Sequence, residues 1–210
     1  MSTLTIIGSG NIGTAVAGIA TAGGNSVQIL SRDLQHAQAA AESAGSGATA
    51  GTLGDALTGD IVVLAIPHPA IDEVLATYSG ALDGKTIVDV TNPLDFSTFD
   101  SLVTPADASA AAQIQATVPG ARVLKAFNTT FAATLATRSV GGENTTTVLI
   151  AGDDAEAKAE LATVVTDGGL NAVDAGSLKR ARELESVGFL QLTLAAGEKI
   201  QWTGGFALVN

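Results

Sequence analysis

The chain has 210 residues, of which 46% are hydrophobic, and carries 21 acidic against 10 basic side chains for a net charge of −11. That length buries a full core. The acidic balance argues against nucleic acid as a partner, since such surfaces need a basic stripe. There is no cysteine, and the two histidines belong to no close His/Asp/Glu grouping, so disulfides, thiol catalysis and a metal site are not expected.

Leu4, Ile6 and Ile7 make a short apolar run, read as a strand, that ends directly in Gly8-Ser9-Gly10-Asn11-Ile12-Gly13. Ile12, Val16 and Ile19 then recur at helical spacing. A glycine-rich turn between strand and helix is a dinucleotide-binding arrangement. Gly8 allows the turn, Gly10 lets a diphosphate approach the backbone, and Gly13 lets helix and strand pack closely. The free N–H groups of the first helical turn hold the phosphates. No basic or cleavable apolar leader precedes this strand, and no apolar run is as long as a membrane span, so a cytoplasmic location and no membrane partner are expected.

Ser26 to Leu30 is the second strand, ending at Ser31-Arg32-Asp33. Ser31 lies 18 residues beyond Gly13, close to where an NAD-binding fold places an acid on the adenosine ribose. A hydroxyl and a guanidinium there suit a 2′-phosphate, so NADP(H) is favoured over NAD(H). Asp33 fits the N-cap of the next helix, Leu34 to Ser43. A weak third strand is expected near Ala48 to Ala50, and a short helix at Leu53 to Leu57.

Ile61 to Ile66 reads as a central parallel strand that stops at Pro67-His68-Pro69. A helix from Ala70 to Tyr78 and a strand from Lys85 to Val90 follow, the latter stopping at Thr91-Asn92-Pro93-Leu94. Both stops fall where open α/β sheets bind ligands. Asp95 to Ala108 is a polar loop, and a helix spans Ala108 to Val118. Arg122 to Phe127 is a strand leading into Asn128-Thr129-Thr130-Phe131. Thr146 to Ala151 and Leu170 to Asp174 are strands around a helix from Ala155 to Thr166. Leu178 to Ile200 is the longest helical pattern, with Leu184, Val187, Leu190 and Leu194 as its apolar positions. Lys179, Arg180 and Arg182 are expected to pair with Glu183 and Glu185. Asp89, inside a strand, reads as buried and paired.

The alternation predicts an α/β fold with a doubly wound, mostly parallel sheet of Rossmann type. It is read as one domain: a dinucleotide-binding core over 1–140 and an extension over 141–210 carrying the long helix.

Taken together, IIGSGNIG at 6–13, SR at 31–32, AIPHPAI at 65–71, DVTNPL at 89–94, KAFNTT at 125–130, VLIAGDD at 148–154 and DAGSLKRARELE at 174–185 resemble the NADP-dependent oxidoreductases that work with the deazaflavin (factor-420) coenzyme. The resemblance implies hydride transfer between NADP(H) and a small-molecule acceptor, a deazaflavin or flavin, in a homodimer. It also implies positioning residues: Ile66, Pro67 and His68 beside the nicotinamide ribose, Asn92, Pro93 and Leu94 opposite, and Asn128, Thr129 and Thr130 near the carboxamide or acceptor. His68 and Asn128 are the candidates closest to the chemistry, with His68 a proton donor or a loop cap. Two rivals differ in class: an NADPH-binding redox sensor without turnover, and a small dehydrogenase acting on an imine or 2-hydroxy acid.

Overall fold

The strand, glycine turn and helix expected at the N-terminus build the centre of the molecule. In the computed structural model, which describes residues 1–209, β1 (Thr3–Ile7) leads through that turn into α1 (Asn11–Ala22). Then come β2 (Ser26–Ser31), α2 (Leu34–Ala44), β3 (Ala48–Thr52), β4 (Ile61–Leu64), one 3-10 turn at His68–Ala70, α3 (Ile71–Thr77) and β5 (Thr86–Asp89). Next are α4 (Ala110–Thr117), β6 (Arg122–Lys125), α5 (Ala132–Thr137), β7 (Ser139–Val140), β8 (Asn144–Thr145), β9 (Thr147–Gly152), α6 (Ala155–Asp167) and β10 (Asn171–Gly176). A second 3-10 turn at Leu178–Arg180 opens α7 (Ala181–Ala196).

Eight strands form one sheet in the order β10-β9-β6-β5-β4-β1-β2-β3. The pairings are parallel except β6 with β9. This is the doubly wound arrangement, with its switch point between β1 and β4, where ligands bind beyond the carboxyl ends of the strands. β4 and β5 are buried along their whole length; β4 is the continuous apolar run expected of a strand covered on both faces, whereas β5 also buries Thr86 and Asp89. One face packs Ile6, Val16, Ile29, Val63 and Leu161 under α1, α2 and α6. The other packs Ile7, Leu64, Val74, Ile87 and Ile114 under α3 and α4. Among the described residues no helix is long and apolar enough to cross a membrane.

Three local expectations change. Leu53 to Leu57 is a turn and not a helix. Gly54 has φ +102°, Asp55 accepts the Thr52 N–H at 2.7 Å, and Tyr78 Oη accepts the Gly54 N–H, so the backbone is committed to a reversal. α5 and the β7–β8 hairpin occupy a stretch assigned no element from the sequence. Six residues make a helix too short for a legible apolar period. The last helix stops at Ala196, capped by Gly197, and its buried face is not the predicted one. Val187 and Leu190 are exposed, while Glu185, Gly188 and Gln191 face inward with Leu184 and Ala195.

Candidate functional site

Each fingerprint glycine answers a different steric demand. Gly8 has φ +116°, and a Cβ there would overlap the Ala65 carbonyl. Its N–H donates to Leu30 O, so β1 turns where β2 ends. A Cβ on Gly13 would overlap the Gly8 carbonyl, which brings α1 hard against the turn. Gly10, the N-cap of α1, has nothing within 4 Å of its Cβ position. Open space therefore stands beside the unpaired N–H groups of a twelve-residue helix, the cradle that a diphosphate fits.

Two hollows flank this turn. The first, about 360 Å³, is lined by Gly8, Ser9 and Gly10, by Ser31, Arg32 and His36, and by Ile66 and Pro67. Ser9 Oγ donates to Ser31 Oγ at 3.0 Å, fixing the end of β2 against the turn. Arg32 is exposed and forms no ion pair among the described residues. Asp33, the nearest acid in the chain, caps α2 by accepting the Gln35 N–H at 2.8 Å, as expected. Ile66 and Pro67 share the hollow of Ser31 and Arg32. His68 is half-buried in its 3-10 turn and does not line the hollow.

The second hollow, about 410 Å³, lies on the other side of the first turn of α1. It is lined by Asn11, Ile12, Val90, Asn92, Phe127, Asn128, Thr130 and Phe131, with Leu192 and Trp202 from the C-terminal region. The carboxyl ends of β5 and β6 form its floor. Phe127 has φ +64°, an unusual conformation for an aromatic residue and a mark of a turn held by its surroundings. Phe131 packs against Trp202 with ring centres 4.9 Å apart.

Several predicted site residues take other roles. Pro93 and Leu94 are buried and line neither hollow. The 95–108 loop folds back over them, with the Val103 N–H on Pro93 O and a bridge between Leu94 and Leu102. Asn92 stays at the hollow and grips Asn128: its Nδ2 donates to Asn128 O at 2.8 Å, and its Oδ1 accepts from Asn128 Nδ2 at 2.9 Å. Asn128 Nδ2 also donates to Leu184 O. One amide proton is thus held by Asn92 and the other by α7, so the side chain cannot donate to a ligand. Thr129 is buried, and its carbonyl accepts from Gln191 Nε2. Thr130 faces the hollow with its hydroxyl on Phe127 O.

The clamp on α7 was only partly legible. Lys125 Nζ lies 2.8 Å from Asp89 Oδ2, 2.6 Å from Thr91 O and 2.9 Å from Glu185 Oε1, so all three ammonium protons are used. All three side chains are buried. Burial raises the Glu185 pKa and the Lys125 charge pulls it back in part. The expected pairing of Glu185 with the basic start of its own helix is thus wrong. Glu183 takes Arg180 and Arg182, while Glu185 turns inward. Asp89 is buried and paired, as expected, and Lys125 is its register partner across β5 and β6. Opposite charges at matching strand ends were the available signal. Gly188 completes the contact: a Cβ there would overlap Asn92 Oδ1 and sit 2.8 Å from Asn128 O.

Residues 3–93 match the family model described as NADP oxidoreductase, coenzyme F420-dependent. The curated F420-dependent NADP reductase of Methanocaldococcus jannaschii is 28% identical over 150 residues, which is 70% of this chain. The match spans 66% of that relative's own length. A crystal structure from Arthrobacter sp. FB24, described as a candidate F420-dependent NADP-reductase, superposes with a TM-score of 0.84 at 28% identity, over the full length of both chains. The hypothetical protein SMa0349 of Sinorhizobium meliloti is 31% identical, with a TM-score of 0.75 over 85% of this chain and 86% of that one.

Proposed function

We propose that this chain, whose residues 3–93 match the family described as NADP oxidoreductase, coenzyme F420-dependent, is an NADPH-dependent reductase whose acceptor is a deazaflavin or a flavin-like ring. The observation that carries the reading is the pair of hollows on either side of the α1 N-terminus, one of them holding an unpaired arginine. A dinucleotide with its diphosphate at Gly10 has room for one nucleoside in each. Ser31 and Arg32 meet the 2′-phosphate with a hydroxyl and a charged fork. Asn92, Thr130 and Ile12 bound the space for the nicotinamide, with Phe131 and Trp202 as an apolar wall that keeps water away.

Hydride chemistry of this kind resides in the cofactors, which carry the reactive carbon atoms. The chain's residues position and dehydrate. Nothing in the second hollow acts as an evident acid or base, and His68, outside both hollows, is assigned to shaping its loop. A second copy of the chain is the proposed partner, covering the exposed Val187 and Leu190 of α7 together with Phe206 and Leu208. The acidic surface and lack of cysteine support a cytoplasmic place of work.

The test is a fluorescence titration with NADPH and NADH, followed by an acceptor panel read at the NADPH absorbance band. Preferred binding of NADPH, and its oxidation by a deazaflavin or flavin, are expected. Tight binding with no oxidation by any acceptor would favour a redox sensor instead. Equal affinity for both nucleotides would remove the argument from Ser31 and Arg32.

A further inference from the structure

Among the described residues, the charged side chains that are fully buried are Asp89, Lys125 and Glu185, and they are buried together. Every polar contact of the cluster is satisfied. Asp89 Oδ1 accepts the Thr91 N–H, Lys125 donates to Asp89, Glu185 and Thr91 O, and both oxygens of Glu185 face the Ala110 N–H at the start of α4. With both carboxylates ionised, two against one ammonium leave one net negative charge out of reach of solvent.

The cluster lies under the second hollow. Asp89 ends β5 one residue before Val90 and three before Asn92, and Lys125 ends β6 two residues before Phe127. At the rise of an extended chain, those lining residues are within about 10 Å of the charges. Glu185 also meets the N–H groups that open α4, whose partial positive charge offsets part of its own. Burying a second carboxylate is costly all the same. The remaining negative charge has no cationic counterpart in the lining of the space above.

We propose that the Asp89–Lys125–Glu185 cluster biases the redox state of the nucleotide bound above it, its net negative charge favouring the cationic pyridinium of NADP⁺ over the neutral dihydropyridine of NADPH. Loss of hydride from C4 turns a neutral ring into a cation, so a fixed negative charge nearby eases that loss. The three residues act through the field and are not catalytic residues. The inference rests on the NADP(H) reading above.

Direct titration of NADP⁺ and NADPH at about pH 8, an alkaline condition that favours the Glu185 carboxylate, tests it without any turnover. Both nucleotides share the diphosphate and 2′-phosphate contacts, so the ratio of their dissociation constants isolates the ring. In Glu185→Gln that ratio, NADP⁺ over NADPH, should rise about tenfold, as expected for one charge near 10 Å in a protein interior. Asp89→Asn removes the same charge from a different element and serves if the first variant does not fold. The shift should persist at about 0.5 M salt, because a buried charge is poorly screened. Gln191→Leu is the control, since it loosens α7 without changing charge and should move both constants together. A ratio unchanged within about twofold in a folded charge variant overturns the proposal, as does an equal shift in the control. If the wild-type protein binds neither nucleotide, the functional reading itself has failed, a result plainly distinct from intact binding with an unmoved ratio.

Discussion

Replacing Gly188 by alanine pits two opposing effects against each other at one atom. Gly188 lies inside α7, where alanine is favoured over glycine by about 1 kcal/mol from helix propensity alone. Its added methyl, however, would overlap Asn92 Oδ1 and press on Asn128 O at 2.8 Å. Relief requires α7 to move off the strand ends or the Asn92–Asn128 pair to break. Overpacking of this kind costs about 1–3 kcal/mol. Each of the two hydrogen bonds between the asparagines contributes about 1 kcal/mol more if lost. The net expectation is a loss of about 2 kcal/mol, a fall in Tm of about 4–8 °C for a chain of this size. Gly18 is the internal comparison. It also sits within a helix, α1, but nothing lies within 4 Å of its Cβ position. Gly18→Ala should therefore raise Tm by about 2–4 °C. Differential scanning calorimetry on both variants reads the result. If Gly188→Ala stabilises the protein as much as Gly18→Ala does, the close docking of α7 on Asn92 is wrong.

Arg32→Ala should weaken NADPH binding roughly ten- to a hundredfold while leaving NADH nearly untouched, the loss of a charge-assisted contact to phosphate; the two nucleotide titrations check it. Gly10→Ala should keep the wild-type Tm, because its Cβ position is open, yet weaken NADPH at least about tenfold by filling the space for the diphosphate. Gly13→Ala should instead lower Tm, because its methyl meets the Gly8 carbonyl before any ligand arrives. Glu185 has its pKa raised above the ordinary 4.5 by burial, partly offset by Lys125. The sign follows: its contribution to stability is fullest below that value and is lost as pH rises through the displaced one. The Tm of the wild type should accordingly fall relative to Glu185→Gln as pH rises from about 4.5 to neutrality. A difference that is flat with pH would mean that the carboxyl is not displaced.

Most of the first half of the molecule can be read from local signals in the chain. β1, its glycine turn and α1 follow from an apolar run, three glycines and a helical period. All of these are local signals, and the structure gives each glycine its steric reason. The buried strand β4 was legible as a continuous apolar run, and Asp33 as a cap, because a cap is decided within three residues. How α7 meets the sheet depends instead on contacts between distant parts of the chain. That face docks through Glu185, Gly188 and Gln191, which carry no hydrophobic period, while the more visible leucine and valine positions include exposed ones. Their partners lie far off in the chain: Glu185 meets Ala110 across 75 residues, and Asn128 reaches Leu184 across 56. Pro93 and Leu94 were placed at the cavity because they follow a strand end, yet the loop after them folds back and covers them. A periodic pattern reports which residues avoid water. It does not report which polar groups satisfy one another once the chain has closed, and that pairing is what shapes the second hollow.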